Sequence, residues 1–390
     1  MIGLPPLGYN LRSLWVRKAS TLLTVVGIGA TVAVLAGILA LQQGFASLYE
    51  QGGREDVLLF LRPGATSEGE SGLRLETVDI LKKSVPEIAR DEQGRPLASG
   101  EIYLAVRRQK LDGGETNVPI RGVEPESLLI AGPALEIVEG RNFEPGTDEV
   151  IVGRALTSRI RNCSLGSTIV FNTTPFKVVG VFDYDGPFRS EVWGPHARMS
   201  EALERPGFSR LIARVKPGVD VKALSERMKN DKRTPTKVLD EQTYLRSQTQ
   251  ALSVTLWVLG AFLAAIMGTA AVFTGTNTML AAIAARSHEI GVLLAIGFRP
   301  FPVFLSFMFE ALALGMLGGL VGCLLVLPLH GIDTGTTNFQ TFTEVAFAFR
   351  VTPPVLGVSV AFASALGLLG GVFPAWSAAM KDPVDALRRR

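Results

Sequence analysis

The sequence predicts an α-helical membrane protein with four transmembrane helices and a large α+β extracytoplasmic domain between the first and second. Three observations predict it. Apolar residues gather in four long blocks, most of the charge lies between the first two blocks, and the basic residues that flank the blocks fall on one side. Bulk composition says less: 390 residues, 47% hydrophobic, with a mean hydropathy of +0.29, a hydrophobic fraction that soluble domains also reach. The formal net charge of +3 and the lack of a basic stripe with interleaved aromatics argue against nucleic acid as a partner.

Arg12, Arg17 and Lys18 precede an uncharged run from Ala19 to Leu41. At about 23 residues it meets the roughly 20 needed to cross a bilayer. A cleaved signal peptide is the alternative, but its apolar core spans about 7–15 residues and ends at a small-residue cleavage site. This run is longer and lacks a good site, so it reads as a retained first span. Upstream, Leu11, Leu14, Trp15 and Lys18 share one helical face, a pattern for a segment lying at the membrane interface. Residues 1–44 thus form an interfacial segment and the first helix.

Residues 45–246 have soluble character and a size fit for one or two domains. Strands are expected at Asp56–Leu61, Ile102–Arg107, Glu149–Val152, Thr168–Phe171, Phe176–Phe182 and Arg210–Val215, all rich in Val, Ile and Phe between turn residues. Helices are expected at Thr77–Lys83, Arg154–Arg161, Met199–Glu204 and Val219–Asn230. The mixture is α+β, with an inserted subdomain expected at about 70–140. Cys163 and Cys323 fall in different compartments and read as packing residues rather than a disulfide.

Residues 247–390 carry the remaining spans. Ala251–Ala285 is about 35 residues, about 50 Å as a helix, against a hydrocarbon core of roughly 30 Å. The helix should protrude and continue from Glu241–Gln250. Phe301–Leu329 and Val355–Ala379 follow, separated by a short polar connector, Asp333–Arg350. The turn at 285–298 joins two membrane runs and is a compact charged hairpin tip. Arg286 and Arg299 there face one acid, Glu289, and the tail sets Lys381 and Arg388–Arg390 against Asp382 and Asp385. The connector after the third span has Arg350 against Asp333 and Glu344. Excess Lys and Arg mark the cytoplasmic side, so both termini and the 285–298 turn are expected in the cytoplasm and the large domain outside it.

No phosphate-binding Gly-x-x-x-x-Gly-Lys-Ser/Thr loop, zinc-protease pair or Gly-x-Ser-x-Gly turn is present, and the histidines number three. The chain reads as a non-enzyme without a cofactor or metal site of its own. Glu310 is the acid inside a membrane run, where a charge costs about 2.5–3.5 kcal/mol on insertion scales. It reads either as a polar contact to another helix or substrate path, or as an interfacial residue paired with Arg299 or a lipid headgroup. Gly315 with Gly319, Gly318 with Gly322, and Gly367 with Gly371 have the spacing of close helix contacts, within one protomer or across a dimer.

The run Arg286-Ser287-His288-Glu289-Ile290-Gly291-Val292-Leu293-Leu294-Ala295-Ile296-Gly297 resembles the signature of the MacB/FtsX/LolC-type ABC transporter permeases. The likeness continues at Phe309-Glu310-Ala311-Leu312, at Phe373-Pro374-Ala375-Trp376 and at Pro383-Val384-Asp385-Ala386-Leu387-Arg388. It extends to Glu149–Gly153 and Phe176–Phe182 in the soluble domain. The resemblance implies a permease subunit that transmits the motion of a separate MacB/LolD-type ABC ATPase to its extracytoplasmic domain. ATP and Mg would be bound by that ATPase, since 390 residues leave no room for a fused one. Arg286, Ser287, His288, Glu289, Ile290 and Gly291 would form the coupling helix, with Ile290 offered to a pocket on the ATPase. A second permease copy, identical or not, membrane lipid, and a periplasmic adaptor with an outer-membrane channel complete the implied partners. Export and lipoprotein or lipid extraction are both open, and the alternative is an FtsX-like regulator of a cell-wall hydrolase that transports nothing. The chain departs from the pattern at Leu294, where a basic residue is common, and at Pro300 and Pro302, which should break the start of the third helix.

Overall fold

A computed structural model describes residues 18–50, 53–184, 186–337 and 343–382. The interfacial stretch through Trp15 and the basic residues at 12, 17 and 388–390 lie outside the described residues. Two compact units form: one of residues 45–253 and 333–347, and a membrane unit drawn from 1–44, 254–332 and 348–390.

In order, the chain runs α1 (Lys18–Glu50), β1 (Val57–Leu61), α2 (Leu75–Ser84), β2 (Ala98–Gln109), β3 (Glu115–Val123), α3 (Pro125–Ala131), β4 (Leu135–Gly140), β5 (Glu149–Gly153) and α4 (Arg154–Thr157). It continues through β6 (Thr168–Phe171), β7 (Thr174–Tyr184), β8 (Val192–Pro195), α5 (His196–Ala202), β9 (Arg210–Arg214), α6 (Val221–Lys229) and β10 (Lys237–Asp240). The last part is α7 (Glu241–Ala285), α8 (Ser287–Ala295), α9 (Pro300–Val326), β11 (Asp333–Thr337), β12 (Glu344–Ala348) and α10 (Pro353–Ala379).

The first unit is built on a ten-stranded sheet of order β10-β1-β9-β2-β3-β8-β5-β7-β4, with β6 paired to β7. Pairs β3/β8 and β5/β7 are parallel and the rest antiparallel, so the domain is α+β. Two apolar cores form. Leu58, Phe60 and Leu211 pack with Leu81 of α2 and Met228 of α6, while Ile120, Val152, Phe171 and Phe176 pack with Met199 of α5. Residues 70–140 are built into this sheet: β2 and β3 are its middle strands, between β9 and β8. Their partners are distant in sequence, so a local reading cannot separate a central hairpin from an insert. The connector after the third span also does more than connect. Its strands β11 and β12 pair, Thr343 Oγ1 lies 3.2 Å from Tyr103 Oη, and Phe347 meets Phe45 edge to face.

In the membrane unit, four helices among the described residues are long and apolar enough to span: Thr21–Ser47, Leu252–Ala285, Pro300–Leu329 and Pro353–Ala379. Pro300 and Pro302 do not break the third. Pro300 is its first residue, after the extended Arg299, where a missing N–H costs nothing and the fixed φ suits the helix. Within α10, Pro374 cannot donate to the Gly370 carbonyl, and Thr276 Oγ1 of α7 donates to it instead at 3.0 Å. In a medium without water that replacement keeps the backbone satisfied.

The glycines act within the protomer. A Cβ on Gly315 would lie 2.6 Å from Ala363 O, and one on Gly319 would lie 2.9 Å from Ala363 Cβ. Their stripe therefore fits α9 against α10, and Gly367 and Gly371 answer it by closing on Ala311. Gly318 and Gly322 form a second stripe on α9, closing on Ile28 and Val32 of α1. Gly367→Val is expected to lower the melting temperature in detergent by the equivalent of about 1–3 kcal/mol, the cost of overpacking. Gly357→Ala, whose added carbon meets nothing within 4 Å, should leave it unchanged. Equal stability of the two variants would show that the α9/α10 contact is loose.

Candidate functional site

The turn between the second and third spans is a short helix with a defined start and stop. Helix α7 ends at Ala285, Arg286 leaves the helical conformation (φ −108, ψ 11), and α8 begins at Ser287. At the far end Gly297 has φ +101. Its N–H donates to Leu294 O and the Phe298 N–H to Leu293 O, both at 3.1 Å. That paired arrangement is the left-handed glycine cap that stops a helix, and an L side chain at 297 would be strained there.

The faces of α8 divide the expected site residues. Ile290 is 2% exposed and packs with Met279, Ile283, Val303 and Phe307, and Gly291 is buried beside it. Ile290 is therefore a core residue of the membrane unit and not a group offered to a pocket elsewhere. The reason is the helix period, which puts 290 on the inner side when 288, 292 and 296 lie outside. His288, Glu289, Val292 and Ile296 form the exposed face, and Ile296 is 65% exposed. Ser287 Oγ accepts from Lys381 Nζ at 2.8 Å, which ties the turn to the segment after α10.

Glu310 meets Arg286, not Arg299. Arg286 Nη1 lies 3.4 Å from Glu310 Oε2, with the side chains 13% and 6% exposed. A guanidinium at the end of α7 compensates the carboxylate in α9, which answers the cost of an intramembrane charge. Of the proposed coupling residues, Arg286 thus serves the helix contact, while His288 and Glu289 remain on the surface.

A second site is one that the sequence reading above does not contain. At the middle of the ten-stranded sheet, Arg121 (β3) and Arg210 (β9) are buried with Glu68, Glu101 (β2), Glu191 and Glu241. The register sets Glu101 directly opposite Arg210. Arg121 donates to Glu191 through Nε at 2.7 Å and Nη2 at 2.8 Å, to Glu68 through Nη1 at 2.8 Å and Nη2 at 2.9 Å, and to Glu101 through Nη1 at 3.0 Å. All five guanidinium protons are used. Arg210 Nε donates to Glu101 Oε2 at 2.7 Å, and Trp193 Nε1 to Glu191 at 2.7 Å. Burial pushes Glu68 up, but Arg121 and Arg210 outweigh it and hold the carboxyl below its ordinary range. Burial lifts Glu191 despite the Arg121 fork. The signal available in the sequence was a lone charge inside an apolar strand: Arg121 after Val118-Pro119-Ile120, and Arg210 before Leu211-Ile212.

Among the described residues no group of three or more His, Cys, Asp or Glu could hold a metal. The spans and the sheet together define the class: a membrane protein whose α+β domain is inserted in the chain between its first and second long helices. The chain belongs to the family whose models are the MacB-like periplasmic core domain, matching residues 21–231, and the FtsX-like permease C-terminal region, matching 261–383. It is an inner-membrane protein with its large domain extracytoplasmic. It is 25% identical, over 96% of its length, to the macrolide export ATP-binding/permease protein MacB of Chromobacterium violaceum. It is 26% identical, over 97%, to MacB 2 of Aeromonas hydrophila. It spans 59% and 60% of the lengths of those relatives. The crystallised periplasmic region of MacB from Actinobacillus actinomycetemcomitans aligns with 51% of the chain and 94% of its own, at 13% identity and a TM-score of 0.36.

Proposed function

We propose that this chain is the permease subunit of an ATP-driven ABC transporter, which passes the motion of a separate ATPase through the membrane to its extracytoplasmic domain and so exports or extracts a substrate. The observation that carries this reading is α7. It is one continuous helix of 45 residues, about 68 Å long at 1.5 Å per residue. Its first residue, Glu241, lies in the buried charge cluster of the sheet, and its last is separated from α8 by Arg286 alone. A helix twice as long as the hydrocarbon core is thick carries the chain from the sheet-bearing unit into the membrane unit.

In this reading His288, Glu289, Val292 and Ile296 dock on a MacB/LolD-type ATPase, which binds ATP and Mg and performs hydrolysis. Both termini lie in the cytoplasm with the turn, and two permease copies flank two ATPase copies. The relatives carry ATP binding and macrolide export in their names, which supports export, with an adaptor and outer-membrane channel as further partners. The test is co-expression of the full chain with the ABC ATPases of its host. One of them should co-purify in detergent, with its hydrolysis rate altered by the permease. If none associates, the reading fails. ATPase coupling without movement of any substrate in proteoliposomes would instead favour a regulator of a cell-wall hydrolase.

A further inference from the structure

The buried cluster holds more acid than base. Glu68 and Glu101 are shared between Arg121 and Arg210, Glu191 pairs with Arg121, and Glu241 is a fourth buried carboxyl, lining one cavity with Glu101 and Arg210. Glu241 is the first residue of α7, yet it does not cap the helix. That task falls to Asp240, whose Oδ1 accepts the Thr243 N–H at 2.7 Å. The Glu241 carboxyl turns instead into the domain, 4% exposed, and accepts the Arg54 backbone N–H at 3.2 Å. The Arg54 guanidinium is occupied elsewhere, on Asp56 at 2.7 and 2.9 Å and on Ile130 O at 2.9 Å. Beside the carboxyl is a cavity of about 20 Å³ lined in part by Glu101, Ser127, Tyr184 and Arg210, the size of one water.

We propose that Glu241 is a proton-operated latch: seated as the neutral acid it holds the root of α7 on the extracytoplasmic sheet, and loss of its proton releases that root. The charged and titratable groups around it come from every element packed there. They are Arg54 before β1, Glu101 on β2, Arg121 on β3, Tyr184 on β7 and Arg210 on β9, with Asp56 on Arg54, Glu68 and Glu191 on Arg121, and Tyr244 on the Glu68 N–H one contact further out. The guanidiniums of Arg121 and Arg210 are already shared among three carboxylates, so a fourth negative charge finds little compensation, and a buried uncompensated charge is costly. Burial, with Glu101 adding to it against Arg210 and Arg121, lifts the seated carboxyl from the ordinary 4.5 to about 7.

The sign follows from proton linkage. The seated form binds the proton more tightly than the released form, so the seat is fully favoured below about pH 4.5, weakens as pH rises, and is weakest above about 7. Across that window the seat-to-release equilibrium shifts by up to about 300-fold. What the latch holds is the segment that also donates Gln248 Nε2 to Thr66 O at 2.9 Å and accepts the Glu68 N–H on Tyr244 Oη at 3.0 Å. It operates within one chain and is independent of whether an ATPase docks on the turn.

The test is amide hydrogen exchange on the full chain in lipid nanodiscs, at pH 5.5 and 8.5, read as protection factors over residues 241–253. In the wild type, protection should fall at least tenfold from pH 5.5 to 8.5, and Glu241→Gln should hold it within twofold. A wild type with flat protection, or a variant that keeps the wild-type pH dependence, overturns the proposal. Should Glu241→Gln not fold, the infrared carbonyl band of a buried neutral carboxyl decides it in the wild type alone. The band should fade between the two pH values, and a band that is absent or unchanged overturns the latch.

Discussion

Replacing Arg121 by alanine is expected to destabilise the extracytoplasmic domain by about 3–5 kcal/mol, the range for removing one partner of a buried ion pair. Three carboxylates, Glu68, Glu101 and Glu191, face that one guanidinium at 2.7–3.0 Å. Without it Glu68 and Glu101 keep Arg210, at 3.2 and 2.6 Å, and Glu191 is left with the Trp193 Nε1 donor. The Arg121 guanidinium also stacks over Tyr103 at 5.2 Å and Phe188 at 5.4 Å, so packing is lost with the charge. Arg141→Ala is the contrast. Its own side chain is 52% exposed in its pairs with Glu144 and Glu149, and surface pairs contribute about 0–1 kcal/mol. Denaturant unfolding followed by near-UV signals from Trp193 would measure both. Similar losses in the two variants would mean that the cluster is solvated in solution.

Much of the fold was legible because it rests on local pattern. Four apolar runs, the third carrying Glu310 as its one charge, gave four spans, and the excess length of the second gave the extension that α7 shows back to Glu241. Thr168–Phe171 was readable to the residue, since alternation and flanking turn residues suffice for a hairpin strand. Strand β3 was not, because Glu115-Thr116-Asn117 open it with polar residues and Pro119 interrupts it; its parallel partner β8 lies about 70 residues away. Helix α4 is one turn, not the longer helix that Arg154–Arg161 suggests. The site divided in the same way. The turn was visible as charge between apolar runs, but which side of it faces inward depends on α8 ending its own register at Gly297, and so Ile290 looked available. The Glu310–Arg286 pair and the charge cluster are contacts across long sequence separations, which a single sequence does not display.

The exposed face of α8 leads to the second large effect. Glu289→Arg combined with Ile296→Glu reverses the charge and places a second charge on the most exposed apolar residue of the turn. Both positions are exposed, whereas Ile290 is buried. Loss of ATPase stimulation by about 5–150-fold is expected, the range of a coupling energy of 1–3 kcal/mol, with insertion and thermal stability unchanged. Ile290→Ala should behave in the opposite way. It empties part of a buried core and costs about 2–5 kcal/mol of stability, so its coupling falls only because the turn is damaged.

The most direct measurement is therefore the hydrolysis rate of the co-purified ATPase, reconstituted in nanodiscs with wild-type chain or with the Glu289→Arg, Ile296→Glu chain, both verified as folded. The α8 face as docking surface predicts that the wild type changes the ATPase rate and the folded double variant does not. Wild-type coupling in the double variant would contradict it.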